Sequence, residues 1–139
     1  MQRPDDTLFH KFQSYFPFCC VDLILIKNGK FLLVKRSISP YKGKLCLPGG
    51  IMRRGEKLEA AVKRIGREEL GIDVEIKTSV GFYEKIYPNR HDVTHCFLVI
   101  TKKGKIHYDY QAKTGKFFKN IPKETAPFFK KMLIDAGFS

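Results

Sequence analysis

The stretch from Glu56 to Gly71 limits the fold more than any other part of the chain. Stepping about 100° per residue, Leu58, Ala61, Val62, Ile65 and Ile72 gather within roughly 60° of one direction. Gly71 stands where a helix C′ residue belongs, and Gly55 leads in. The spacing predicts a helix over 56–70 with one apolar stripe, and such a stripe must be buried against another layer. The flanking segments supply that layer. Residues 16–27 are apolar and β-branched and stop at Asn28-Gly29, a strong hairpin signal; residues 30–36 read as the returning strand. A loop holding Pro40 and Gly43 follows over 37–44, then a short strand over 45–47 that Pro48-Gly49-Gly50 breaks. Beyond the helix, 72–87 is strand-rich, 88–90 a loop and 93–101 a strand. A variable polar segment covers 104–115, a short strand 116–121, and a terminal helix 122–136 with Ala126, Phe129, Met132 and Leu133 at helical spacing. This order predicts an α/β chain, a mixed sheet with helices packed on it, in one domain spanning 1–139.

Composition closes off other classes. With 43% hydrophobic residues the chain can build a core, so disorder is excluded. No apolar run approaches the ~18 residues of a membrane span, and the longest, 21–26, carries Asp22. The first residues mix Arg3, Asp5, Asp6, His10 and Lys11 without the apolar core of a signal peptide, which predicts a cytoplasmic protein with no membrane partner. Cys19, Cys20, Cys46 and Cys96 form no CxxC pair and read as small buried hydrophobes in a reducing compartment. The formal charge of +12 comes from 26 basic and 14 acidic residues. The lysines are spread rather than blocked, so nucleic acid is a possible partner that nothing in the sequence requires.

The helix carries a local conflict. Glu69 falls in the middle of its apolar stripe and Glu68 at the edge. A carboxylate there is costly unless a cation or donors meet it. Both residues also occupy the last turn, where the macrodipole disfavours negative charge. Such conflicts mark functional sites, and a divalent cation is the physical remedy. The alternative is a helix end turned to solvent.

From Gly50 the chain runs five residues to Glu56, seven more to Arg64, and then Ile65-Gly66-Arg67-Glu68-Glu69-Leu70-Gly71-Ile72. This resembles the Nudix box, G-x5-E-x7-R-E-U-x-E-E-x-G-U, with U a bulky aliphatic residue. Gly50, Glu56, Arg64, Glu68, Glu69, Gly71 and Ile72 match in register. The resemblance to the Nudix hydrolases (MutT-like) implies an α/β/α sandwich with a mixed β-sheet over essentially the whole chain. It also implies a metal-dependent hydrolase of a nucleoside diphosphate-linked small molecule. Two positions depart: Ile65 replaces a box glutamate and Gly66 an aliphatic residue. The Ile65 departure is similar to the GDP-mannose mannosyl hydrolase branch, as are the Val21-Asp22-Leu23-Ile24 and Gly29–Arg36 stretches and Asp92-Val93-Thr94-His95-Cys96-Phe97.

The resemblance assigns roles. Glu68, Glu69, the Gly50 carbonyl and Gln111 would hold Mg²⁺ or Mn²⁺. Glu56 would anchor Arg64, with Gly50 and Gly71 shaping the loop–helix–loop. Arg36 would grip phosphate, and Tyr83 and Tyr87 would contact the base or phosphates. Ala112 falls on the branch's general-base histidine, which makes His107 the substitute base; His10 and His95 are weaker candidates, and His95 reads better as a core residue. Arg36, Arg64 and His107 are thus the expected catalytic set. The first chemistry expected is attack of water on the anomeric carbon of a nucleoside diphosphate sugar such as GDP-mannose, releasing nucleoside diphosphate and sugar; the alternative is attack on phosphorus with cleavage of the phosphoanhydride of another nucleoside diphosphate derivative. A catalytically impaired nucleotide- or RNA-binding module is a third reading, and the branch implies a possible homodimer.

Overall fold

The computed structural model describes residues 4–37, 41–108 and 112–139. Two strands make the predicted hairpin: β1 (Phe18–Lys27) and β2 (Lys30–Arg36), with Lys27 opposite Lys30. Asn28 and Gly29 both take positive φ, 53° and 73°, as a two-residue hairpin turn demands. β1 is the centre of the sheet. It pairs with β2 and β4 (Gly49–Ile51) antiparallel and with β6 (Arg90–Lys103) parallel, from Phe18 opposite Asp92 to Leu25 opposite Val99. A parallel central strand is covered on both faces and reads as a continuous apolar run; here Cys20 to Leu25 are all buried. The path through the sheet is β3 (Leu45–Cys46), β2, β1, β6, β5 (Asp73–Tyr87), with β7 (Ala112–Phe118) paired to β2.

Two cores lie on opposite faces of this sheet. One packs Val21, Leu23 and Val99 against Ala61, Val62, Ile65 and Leu70 of helix α2 (Leu58–Leu70). The other packs Ile24, Phe31 and Leu33 against Phe129, Met132 and Leu133 of helix α3 (Pro127–Asp135). The result is the three-layered α/β architecture expected. Gly71 closes α2 at φ 67°. Gly66 is buried, and a Cβ there would sit 3.1 Å from both methyls of Val74, so the glycine marks close packing.

The structure also departs from the sequence reading. Gly49 and Gly50 do not break a strand; they pair with Asp22 and Val21 as β4. Helix α2 starts at Leu58, leaving Glu56 in the preceding loop, and Leu58 stands exposed at the edge of its stripe. β5 and β6 outrun their predicted cores because register shifts let a long hairpin stay paired. β7 starts at Ala112, inside the segment read as polar, and α3 starts only at Pro127. Cys20, Cys46 and Cys96 are buried free thiols as expected, but Cys19 is exposed. Among the described residues no helix is long and apolar enough to cross a membrane.

A helix the sequence reading missed, α1 (Asp6–Tyr15), precedes β1. Asp5 caps it by accepting from the Leu8 N–H at 2.9 Å. None of its residues is buried, so no core stripe announced it. It rests on the domain through Phe9, whose ring lies 5.1 Å from that of Phe18.

Candidate active site

The site begins with glycine backbone. β4 lies across β1, and a Cβ on Gly49 would strike the Asp22 carboxylate and sit 2.6 Å from the Val21 carbonyl. The bare Gly49 N–H donates instead to Glu69 Oε2 at 3.1 Å. Glu69 from the end of α2 and Asp22 from the middle of β1 thus converge on one residue. Behind Gly50 lies Ile65, whose Cδ1 would be 2.5 Å from a Cβ placed there. The side chain replacing the box glutamate is therefore directed at the loop where that carboxylate would have stood.

A clamp fixes the loop to the helix. Arg64 donates through Nε to Glu56 Oε2 at 2.6 Å, through Nη2 to Glu56 Oε1 at 3.0 Å, and through the same Nη2 to the Ile51 carbonyl at 2.8 Å. The Arg53 N–H also donates to Glu56 Oε1, at 3.1 Å. The Arg64 hydrogen bonds hold the Glu56 carboxyl below its usual range, and the same pair raises Arg64. Arg64 Nη1 reaches on to Glu68 Oε2 at 3.1 Å, and Arg53 pairs with Glu68 Oε1 at 3.3 Å. Two arginines thereby hold an exposed carboxylate at the helix end.

The floor comes from the parallel β1–β6 pair. Asp22 is buried and accepts from Thr94 Oγ1 at 2.7 Å. Burial pushes its carboxyl up to about 7, against the opposing Thr94 hydrogen bond. Buried Asp92 accepts from Arg90 Nε at 2.6 Å. Burial works against the Arg90 charge, but the Asp92 pair outweighs it and raises its pKa. Clamp, floor and β4 open onto one cleft of about 1020 Å³, which Arg36, Tyr41, Tyr87 and α1 also line.

A family model described as NUDIX domain matches residues 19–125. The chain belongs to the Nudix family. It is 36% identical over 118 residues to an ADP-ribose pyrophosphatase of Methanocaldococcus jannaschii, covering 81% of this chain and 70% of that one. Its identity to the low-salt glycan biosynthesis protein Agl8 of Haloferax volcanii is 28% over 138 residues, covering 94% and 88%. Among solved structures, a MutT NUDIX hydrolase from Burkholderia pseudomallei superposes with a TM-score of 0.81 at 25% identity, covering 86% of this chain and 98% of that one. The chain is a Nudix hydrolase, of a family that uses divalent metal ions and acts on nucleoside diphosphate-linked substrates.

The Nudix donor set here is sparse. Among the described residues no group of three or more His, Cys, Asp or Glu converges as a metal cage. Two adjacent carboxylates and a glycine carbonyl are, however, the kind of partial set that suits Mg²⁺, which keeps waters and takes remaining ligands from substrate phosphates. Half-buried Glu69, with Oε2 on the Gly49 N–H, and Glu68 fit such a set. Gln111 lies outside the described residues.

The cleft gathers Arg36, Gly50, Arg64, Glu68, Glu69 and Tyr87, with Glu56 directly behind. Tyr87 donates its hydroxyl to Tyr41 Oη at 3.1 Å. It does not gather Tyr83 or His107. Tyr83 is buried under α3, its hydroxyl donating to Asp135 Oδ2 at 2.7 Å, because α3 covers that part of the sheet face. His107 is exposed and packs on Gly71 beyond the end of α2, its N–H bound to the Leu70 carbonyl at 2.7 Å. His95 stacks between Phe82 and Phe97, with Nε2 2.5 Å from Ser79 Oγ, away from the cleft. His10 does line the cleft, from α1. The floor residues Asp22, Asp92, Thr94 and Arg90 carried no assigned role in the sequence reading. The signal for Asp22 was in plain view, a charge in the middle of the most apolar strand of the chain.

Proposed function

We propose that this Nudix protein is an Mg²⁺- or Mn²⁺-dependent hydrolase of nucleoside diphosphate sugars that cleaves the phosphoanhydride. The observation that carries the reading is the meeting of Glu69 and Asp22 at Gly49, with Glu68 held beside them by Arg53 and Arg64, at the wall of a cleft large enough for such a substrate. The likeness to an ADP-ribose pyrophosphatase supports the same substrate class, since ADP-ribose is itself a nucleoside diphosphate sugar. Glu68, Glu69 and the Gly50 carbonyl would hold the ion, which would neutralise charge developing on the diphosphate. Arg64 keeps Glu68 in place, and the Glu56 clamp keeps Arg64 in place. Arg36 and Arg90 offer guanidinium groups to the phosphates from the floor. Asp22 lines the cleft beside Gly49, with Thr94 holding its Oδ2, and burial raises its carboxyl, so it is the carboxylate we assign to accept the attacking water's proton.

One observation favours a second reading, attack at the anomeric carbon of a substrate such as GDP-mannose. Ile65 fills the box position that would otherwise present another carboxylate beside Gly50. Turnover in ¹⁸O-water separates the two. ADP-ribose and GDP-mannose are each incubated with Mg²⁺ or Mn²⁺. Label in AMP or ribose 5-phosphate is the expected result; label in free mannose, with GDP released, selects the second reading. Failure to turn over any nucleotide sugar would leave the nucleotide-binding module.

A further inference from the structure

We infer that helix α1 is the nucleobase-recognising wall of the cleft, presenting Phe9, His10 and Gln13 to the base of a nucleoside diphosphate. This rests on the nucleoside diphosphate reading above and adds where specificity for the base resides.

The helix is unusual as a structural element. It buries no residue, and its apolar side chains Leu8, Phe12 and Tyr15 are exposed. Packing into the core therefore does not explain why it is there. The residues it turns to the cleft are Asp6, Phe9, His10 and Gln13, which stand at i, i+3, i+4 and i+7 and share one helical face, with Phe12 beside them. That face combines an aromatic ring with hydrogen-bonding groups, the two means by which proteins hold a base: stacking on the ring and pairing at its edge. His10 Nδ1 and Gln13 Oε1 are 2.9 Å apart, which fixes the Gln13 amide and leaves its NH₂ to donate.

The position suits the chemistry. Phe9 rests on Phe18, and the Arg90 guanidinium lies 5.4 Å from the same Phe18 ring centre. Arg90 is in turn held by Asp92. The wall is thus coupled to the floor that would meet the phosphates. Phe18 stands four residues along β1 from Asp22, a separation of about 13 Å. A base against α1 and a diphosphate against Gly49-Gly50 would therefore occupy distinct parts of one cleft. The family match begins at residue 19, so α1 lies outside the stretch that carries the shared Nudix frame, the kind of place where a substrate preference is built onto a common fold.

The test reads equilibrium binding, so it does not depend on turnover. Dissociation constants for ADP, GDP and UDP, and for inorganic pyrophosphate as the base-free probe, are measured by calorimetry with Mg²⁺ for the full chain and its variants. Phe9→Ala should weaken the nucleotides by roughly 5- to 140-fold while leaving pyrophosphate unchanged, and Phe9→Trp should restore them. Gln13→Glu should change the ratio of affinities among the three nucleotides, a change that simple loosening of the helix would not produce. Leu8→Ala, outside the cleft face, should behave as wild type. Equal weakening of pyrophosphate and nucleotides, or unchanged nucleotide binding in Phe9→Ala, overturns the assignment while leaving the hydrolase reading intact. Base-dependent binding sensitive to Phe9, in a protein that hydrolyses no nucleotide sugar, supports α1 and sinks the reaction instead.

Discussion

Two carboxylates decide what happens at the residue scale. Glu69→Gln keeps an oxygen for the Gly49 N–H and removes the charge. Metal-dependent turnover should fall by at least about 10²-fold, with the circular dichroism spectrum and melting temperature unchanged. Retained activity would remove Glu69 from the metal set. Asp22 makes a prediction about stability with a definite sign. Its carboxyl rises from an ordinary value near 3.8 to about 7, pushed by burial, with Asp92 adding to the rise and Thr94, Arg36 and Arg90 opposing it. A raised folded pKa contributes stability that is fully present below the unfolded value and is lost as pH rises through about 7; the whole span is of order 4 kcal/mol. In the metal-free protein, Asp22→Asn should therefore stabilise at pH 8 and change little at pH 4, as read by urea unfolding. Destabilisation at pH 8 would mean that the arginines, not burial, govern the group. The two residues also differ in how legible they were. Glu69 broke the helical pattern and could be read from spacing. Asp22 sat in a strand whose parallel pairing to residues seventy positions away no local pattern reveals. Tyr83 and Tyr87 share a strand face, and only the seat of α3 separates a core tyrosine from a cleft tyrosine.

At the scale of elements, the loop between β4 and α2 is held by few interactions, and the clamp is the strongest of them. Glu56 and Arg64 are both 13% exposed, so removing one partner strands a mostly desolvated charge. Glu56→Gln should cost roughly 1–3 kcal/mol, less than a fully buried pair, and should lower kcat as Glu68 loses its oriented partner; guanidinium chloride unfolding and steady-state kinetics check the two halves. The adjacent glycines should respond differently to alanine. At Gly49 the new methyl meets a backbone carbonyl that cannot yield, and about 1–3 kcal/mol or more should be lost. At Gly50 it meets only the end of Ile65, which can turn away, so denaturation should show a smaller loss. The hairpin, α2 and its glycine terminator were all legible, because turn chemistry and apolar period are local. β4 was not, since Gly-Gly carries no strand propensity and pairs only because β1 lies alongside. α1 was not, since a helix that faces a cleft has no core stripe; its one local sign was the Asp5 cap.

For the whole molecule, the question is where the excess charge acts. The chain carries +12, yet among the described residues the cleft lining holds five arginines, Arg36, Arg53, Arg54, Arg64 and Arg90, beside five acidic residues, Asp6, Asp22, Glu68, Glu69 and Asp92, and no lysine. The excess therefore lies on the outer surface, where salt screens it over about 10 Å at 0.1 M. A surface field of this kind speeds the arrival of an anion more than it strengthens its grip. In a cleft whose arginines are largely offset by its own carboxylates, the divalent ion supplies a large share of the grip on a diphosphate, beside Arg36 and Arg90. Removing Mg²⁺ with chelator should thus weaken ADP binding by about tenfold or more, whereas raising ionic strength from roughly 0.05 to 0.5 M should slow association and change the dissociation constant only a few-fold. Stopped-flow and equilibrium titrations with and without the metal measure both quantities. A salt effect on affinity exceeding the metal effect would place the ligand on the lysine-rich exterior, and the cleft would lose its claim to the diphosphate.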